Sequence, residues 1–180
     1  HVPRAGSAHP DERGPMAYGR GSDGHFHLTV DAEGDLWQPD WPVMLVRWFD
    51  AVAYARWLAE TTELPWRLPQ ELEWEKAARG VDRRIFPWGN YCDPTWCCML
   101  ESHPQRPMIA SVDAFEHDES PYGVRGMAGN VRDWCLDRYQ AGRPPTSPCV
   151  GPPDTSPGLE SDPRIIRGGY FGASEPGVHC

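Results

Sequence analysis

The sequence predicts an α+β domain with two main helices, short antiparallel strands and a large share of ordered coil. Three observations carry that expectation. Twenty prolines, eighteen glycines and nine tryptophans in 180 residues describe a loop-rich chain whose irregular segments are pinned by large rings, since disordered chains are poor in aromatics. Helical spacing of apolar residues is confined to two stretches between residues 50 and 80. Third, the run Tyr122-Gly-Val-Arg-Gly-Met-Ala-Gly-Asn-Val-Arg-Asp133-Trp134 has three glycines in seven residues, which neither a stable helix nor a plain strand accommodates. It reads as a tightly turned loop with free carbonyls, closed by Asp133 and anchored by Trp134.

In chain order, residues 1–24 are rich in Gly, Pro, His and charge without hydrophobic period and read as a linker or lead-in. The domain proper is expected over 25–180. An alternating apolar pattern at 26–30 predicts a strand, and the apolar run 42–48, bounded by proline and an acidic turn, predicts a buried one. Asp50 offers a capping oxygen to a helix on which Ala51, Tyr54, Ala55 and Leu58 recur at helical spacing, and Pro65 stops it. A second helix, about 70–79, has acidic residues in its first turns, Arg79 in its last and Gly80 at its C-terminal cap. Beyond it come turns, a Pro/Ser/Thr-rich insertion at 142–163 and a last strand at 164–167.

Composition excludes several classes of function. A net charge of −9 with no basic cluster disfavours nucleic acid and anionic membranes as partners. No apolar run approaches the roughly 20 residues of a membrane span. The chain opens on His1 with no signal-peptide pattern, so the compartment stays open, with the cytoplasm slightly favoured. Six cysteines in a chain this long do not make a disulfide scaffold. Phosphate loop, nucleophile elbow and ordered Ser/His/Asp set are all missing.

Cys92, Cys97 and Cys98 fall within seven residues, but a zinc site needs a fourth ligand at regular spacing and His103 does not supply it. They are expected to be reduced and partly buried, while Cys135 could bridge to Cys149 in an oxidising compartment. His25 and His27 would share a strand face, as surface histidines. Glu71 and Glu75 share a helix face, and Glu75 can pair with Arg79.

Five blocks in fixed order carry a resemblance: residues 42–58, Arg67-Leu-Pro-Gln-Glu-Leu-Glu-Trp-Glu-Lys-Ala-Ala-Arg-Gly80, Phe86-Pro-Trp-Gly-Asn90, the glycine loop ending in Asp133-Trp134, and Arg164-Ile-Ile-Arg-Gly-Gly169. The series resembles the formylglycine-generating-enzyme, or sulfatase-modifying-factor, family over about residues 42–172. The resemblance implies a C-type-lectin-like fold and calcium held by loop carbonyls and carboxylates. In active members it implies oxidation of a sulfatase cysteine to formylglycine by oxygen and copper on a cysteine pair. Other relatives are iron-dependent sulfoxide synthases, kinase-fused domains and retroelement-diversified binding proteins.

Carried over by residue, the cysteine pair falls on Ala173 and Val178, neither of which can ligate copper, and Tyr170 stands where serine is usual. Copper is therefore not expected, and Cys180, two residues beyond the second position, is the one candidate catalytic thiol. The family's final strand ending in Gly-Phe-Arg is absent, which implies a domain cut short at its C-terminal end. The calcium ligands fall on Gly129, Val131 and Asp133, with Gly126 in place of a fourth donor. Without an ion, Asp133 would bond backbone amides. Asp113, Asp118 and Glu119 read as a solvated acidic stretch or as donors to a second calcium.

Three readings follow: an accessory or sensory module of a larger, kinase-linked protein, without copper oxidation; a module binding a protein, peptide or small ligand through Trp88, Trp96, Tyr170 and Phe171; or a working oxidase whose cysteine pair is Cys180 and a residue past position 180.

Overall fold

The computed structural model describes residues 18–30, 34–142 and 162–180. In chain order it contains β1 (Tyr18–Arg20), β2 (Phe26–Leu28), α1 (Trp48–Thr62), α2 (Glu71–Arg79), β3 (Asp133–Arg138) and β4 (Arg164–Arg167), with single 3-10 turns at Leu100–Ser102 and Glu175–Val178. Among the described residues, strands pair as two antiparallel ribbons, β1 with β2 and β3 with β4. All else among the described residues is turn, isolated bridge and coil. The α+β class with two helices is thus as expected, and β4 has the bounds read from the sequence. The strand at 26–30 is shorter, and its partner β1 lies inside the stretch expected to be lead-in. Most of the insertion at 142–163, and with it Cys149, lies outside the described residues.

One expected element is absent. Residues 42–47 form no strand, and Trp48 opens α1 instead. Leu45 has φ +61°, a left-handed value that interrupts an extended run. Val43 and Leu45 are 60% and 45% exposed, so the apolar run is not buried either. The Trp134 indole ties it to β3, donating to the Val46 carbonyl at 3.0 Å.

Asp50 acts on α1 differently from the expected N-cap. Arg47 is the cap residue, and Asp50 reaches back from the third helical position to accept the Arg47 backbone N–H at 3.2 Å. A carboxylate in the first turn also suits the helix dipole. Glu63, at φ +56°, ends α1 in a left-handed cap two residues before Pro65. The buried face is Trp48 and Val52, one turn apart, packed against Leu136 of β3. Tyr54, expected on that face, is 61% exposed and touches Trp57.

Helix α2 starts the same way: Gln70 caps it and donates its backbone N–H to Glu73 at 2.9 Å, while Arg67 grips Glu73 with two bonds of 2.6 Å. Gly80 closes the other end at φ +68°, ψ −131°, outside the expected left-handed well, with its N–H on the Lys76 carbonyl. Trp74 and Ala78 turn inward against Met127 and Cys135. Glu75 pairs with Arg79 at 3.1 Å, as expected, and with Arg167 of β4 at 2.9 Å.

The core is divided into three groups. Trp48, Val52 and Leu136 form one; Trp74, Ala78, Met127 and Cys135 another; Phe86, Cys97, Met99, Ala128 and Ala173 the third. Met127 and Ala128 are adjacent in sequence yet serve different groups, so the glycine loop is the seam between them. Gly129 makes that seam possible, because a Cβ there would collide with the Cys98 backbone, its carbonyl carbon lying 2.9 Å away. The next residue, Asn130, adopts φ +67° and donates its backbone N–H to the Cys98 carbonyl at 2.8 Å.

Replacing Gly129 with alanine should therefore cost about 2–4 kcal/mol of unfolding free energy. Urea titration of G129A against the wild type checks it; a loss below about 1 kcal/mol would mean the loop can move off Cys98.

Candidate functional site

The glycine loop is folded around a buried anion. Asp118, expected in a solvated acidic stretch, is 2% exposed. Both its carboxylate oxygens accept the Ala128 N–H at 3.1 Å, one also accepts the Gly129 N–H at 3.2 Å, and its carbonyl accepts the Gly126 N–H at 2.8 Å. Successive backbone N–H groups converging on one carboxylate form an anion-holding nest. Burial pushes the Asp118 pKa up to about 6 despite those N–H donors, and the nearby Asp133 charge adds to the rise. The role imagined for Asp133, bonding loop amides, thus belongs to Asp118.

Asp133 instead accepts the Trp74 indole N–H at 2.9 Å, tying β3 to α2. Burial raises its pKa, and the indole bond opposes the rise. Of the other residues expected to hold calcium, the Gly129 carbonyl already accepts the Val131 N–H at 2.9 Å and retains one lone pair. Gly126 supplies no side chain, and nothing approaches within 4 Å of where its Cβ would be. Two carbonyls and one carboxylate are hard oxygen donors of the kind calcium takes, but they are fewer than the six to eight it prefers. Among the described residues no three His, Cys, Asp or Glu side chains gather to hold a metal ion.

The C-terminal turn does not fit copper. Ala173 is buried with Phe86, Met99 and Ala128, and its carbonyl accepts the Leu100 N–H at 2.9 Å. The Cys180 thiol donates to the Ile85 carbonyl at 3.1 Å, and burial holds its pKa up at about 11. A soft monovalent metal requires thiolate or thioether sulfur. Position 173 offers a methyl group, and Cys180 is a partly buried thiol packed beside the Trp74 group.

The four expected aromatic anchors separate into two places. Trp88 stacks on Phe86, with centroids 5.2 Å apart, and meets Trp96 edge-on at 6.0 Å, while Trp96 stacks on His117 at 5.3 Å. Tyr170 and Phe171 meet edge-to-face at 5.7 Å and, with residues 43–46, Val131, Arg132 and Trp134, line a cavity of about 280 Å³. Arg132, absent from the residues singled out in the sequence, lies with its guanidinium 4.8 Å from the Tyr170 ring centre.

Cys97 and Cys98 are buried and Cys92 partly so, as the sequence suggested. The missed contact is Cys98 Sγ to His103 Nε2 at 3.4 Å; burial raises the Cys98 pKa to about 12 and lowers that of His103, so the pair is a neutral thiol beside a neutral imidazole. His25 and His27 are exposed, and only His27 lies within β2.

Two capped helices, a β-ribbon and a nested glycine loop in a body of coil define a domain of the sulfatase-modifying-factor type. Residues 27–178 match the family described as sulfatase-modifying factor enzyme 1-like domain, and the chain belongs to it. Formylglycine-generating enzyme from Thermomonospora curvata is 33% identical over 87% of this chain and 51% of its own length. Inactive C-alpha-formylglycine-generating enzyme 2 from Bos taurus is 34% identical over 72% of this chain and 38% of its own. The chain thus spans about half, or less, of these curated relatives. PvdO from Pseudomonas aeruginosa shares the fold, with a TM-score of 0.60 at 23% identity over 91% of this chain and 64% of that one. The shared fold is consistent with the C-type-lectin-like architecture that the family resemblance implies. No helix among the described residues is long and apolar enough to cross a membrane.

Two outcomes follow from these geometries. Iodoacetamide at neutral pH should label Cys98, Cys135 and Cys180 slowly in the folded protein and completely after denaturation, since burial raises all three pKa values to between about 11 and 12. Mass spectrometry reads the count, and rapid native labelling of Cys180 would contradict its assignment as a protonated thiol.

Asp118 gives the second. Its folded pKa of about 6 lies above the ordinary 3.8, so the folded chain binds this proton more readily than the unfolded one. That contribution is present below pH 3.8 and is lost as pH rises through about 6. The wild-type Tm minus that of D118N should therefore shrink from pH 4 to about pH 6 and level off above. A difference that grows with pH over that window would reverse the assignment.

Proposed function

We propose that this chain is a domain of a formylglycine-generating-enzyme homologue without copper-dependent cysteine oxidation, serving as an accessory or sensory module of a larger protein. One observation carries the reading: the position of the first family cysteine is Ala173, buried against Phe86 and Met99. Restoring a metal-binding pair would require sulfur at a site filled by core packing. Cys180 is no substitute, since its proton is held against the Ile85 carbonyl. The name of the inactive bovine relative is in keeping with loss of chemistry on a retained frame.

A second reading, a binding module, is favoured by the cavity between residues 43–46 and the Tyr170–Phe171 pair. In it, Tyr170 and Phe171 act as anchors, because large rings dominate binding energies. Trp88 and Trp96 belong to a separate aromatic cluster. Calcium is part of the proposal as a support for the glycine loop, on the Gly129 and Val131 carbonyls and the Asp133 carboxylate.

Aerobic incubation with copper and a peptide containing Cys-X-Pro-X-Arg should leave the peptide's thiol mass unchanged. Conversion of that thiol to an aldehyde would refute the loss of oxidation. For calcium, the Tm should rise in millimolar calcium but not in equal magnesium, and D133N should abolish the rise. Identical melting in both ions would remove calcium from the account.

A further inference from the structure

The cavity beside Tyr170 combines three features that together specify a ligand class. Its walls are mostly apolar, from Val43, Leu45, Val131, Trp134 and Phe171. Its volume of about 280 Å³ lies just below the range of about 300–1,000 Å³ usual for small-molecule sites, which limits it to a small ligand. It contains one cation, Arg132, whose guanidinium rests on the face of the Tyr170 ring.

That cation has no partner among the described residues. Arg67, Arg79, Arg84, Arg125 and Arg167 each pair with a carboxylate, whereas Arg132, like Arg56 and Arg83, makes no ion pair among the described residues although the chain has net charge −9. Stacking on the ring leaves the guanidinium edge, with its fork of N–H donors, free for an anion. A fork of that shape matches a carboxylate with two parallel bonds. The site is held in place on the side of Asn130, Trp134 and Phe171. Trp134 is fixed through its indole on Val46 at 3.0 Å, the Phe171 N–H donates to the Asn130 carbonyl at 3.0 Å, and the Asn130 side chain is locked to both Ala110 backbone groups. That side then needs little ordering on binding.

We propose that this cavity binds a small monocarboxylate with an apolar or aromatic body, its carboxylate on Arg132 and its body between Val43, Leu45 and Phe171. A second charge on the ligand would lie against apolar walls and be rejected. The proposal rests on the binding-module reading and deepens it, yet its test is separate, because ligand binding is measured without copper or peptide. Oxidation in the copper assay would overturn loss of chemistry and leave the carboxylate result standing.

Titration of Trp fluorescence and calorimetry with 3-phenylpropionate and octanoate test it, with the matching amides as neutral counterparts. At least one acid should bind, its amide at least about tenfold more weakly. R132Q should lose at least about tenfold while keeping the wild-type Tm, because Arg132 is exposed; R132K should retain part of the affinity, and Tyr170→Leu should weaken binding several-fold through the loosened guanidinium. The proposal is overturned if neither acid binds, if acid and amide bind equally, or if R132Q binds as the wild type does. A peptide with a free C-terminal phenylalanine binding more tightly than either acid would overturn the small-molecule occupant in favour of a chain end.

Discussion

The structure depends on a carboxylate placed where backbone N–H groups would otherwise be orphaned. Asp118 occupies the concave side of the glycine loop and accepts from Ala128 and Gly129, so the loop needs no regular secondary structure to satisfy its polar groups. With those N–H groups drawn inward, Met127 and Ala128 are held in two different core groups. A loop this short can serve as an internal wall only if its polar backbone is paid for elsewhere in the fold, and Asp118 does that from ten residues away.

A second level of order is set by three indole N–H groups used as long-range tethers, while those of Trp66 and Trp88 bond locally. Trp48 donates to the Cys135 carbonyl at 2.8 Å, Trp74 to Asp133 at 2.9 Å and Trp134 to the Val46 carbonyl at 3.0 Å. All three bonds span more than fifty residues, and together they fasten both helices and the 42–47 coil to β3. An indole has a large apolar body and a single donor, which suits it to coil, where carbonyls are plentiful and ladder partners scarce. The tryptophan content of the sequence is therefore the counterpart of its shortage of sheet.

Much of this was legible beforehand. Helical spacing and the charges at the helix ends place both helices, because these are local chemistry, although Arg47 rather than Asp50 caps α1 and Gly80 leaves the left-handed well; Arg164 to Arg167 reads as a strand from its own apolar pair. What misled was the run at 42–48. Strand-like composition does not make a strand without a partner, and Leu45 in a left-handed conformation shows the run following contacts that local pattern does not encode. Asp118 was misread for a related reason: next to Glu119 it looks like surface, and only the fold of a loop ten residues on decides its burial. Of the cavity's lining, Tyr170 and Phe171 stand out in the sequence, whereas Arg132 gives no signal, since the ring it meets lies thirty-eight residues away. Trp88 and Trp96 satisfied the same aromatic criterion yet gather around Phe86 and His117, because residue type alone does not say where a side chain will meet its neighbours.

The weakly tied wall at residues 43–46 has an evolutionary corollary. Its exposed side chains contribute little to any of the three core groups, and one indole bond fixes its backbone, so substitutions there can reshape the cavity at small cost to folding. The frame and the cavity are in that sense separable, and descendants of this chain could change the cavity's shape by drift at two or three wall positions while Asp118 and the tryptophan tethers stay constant.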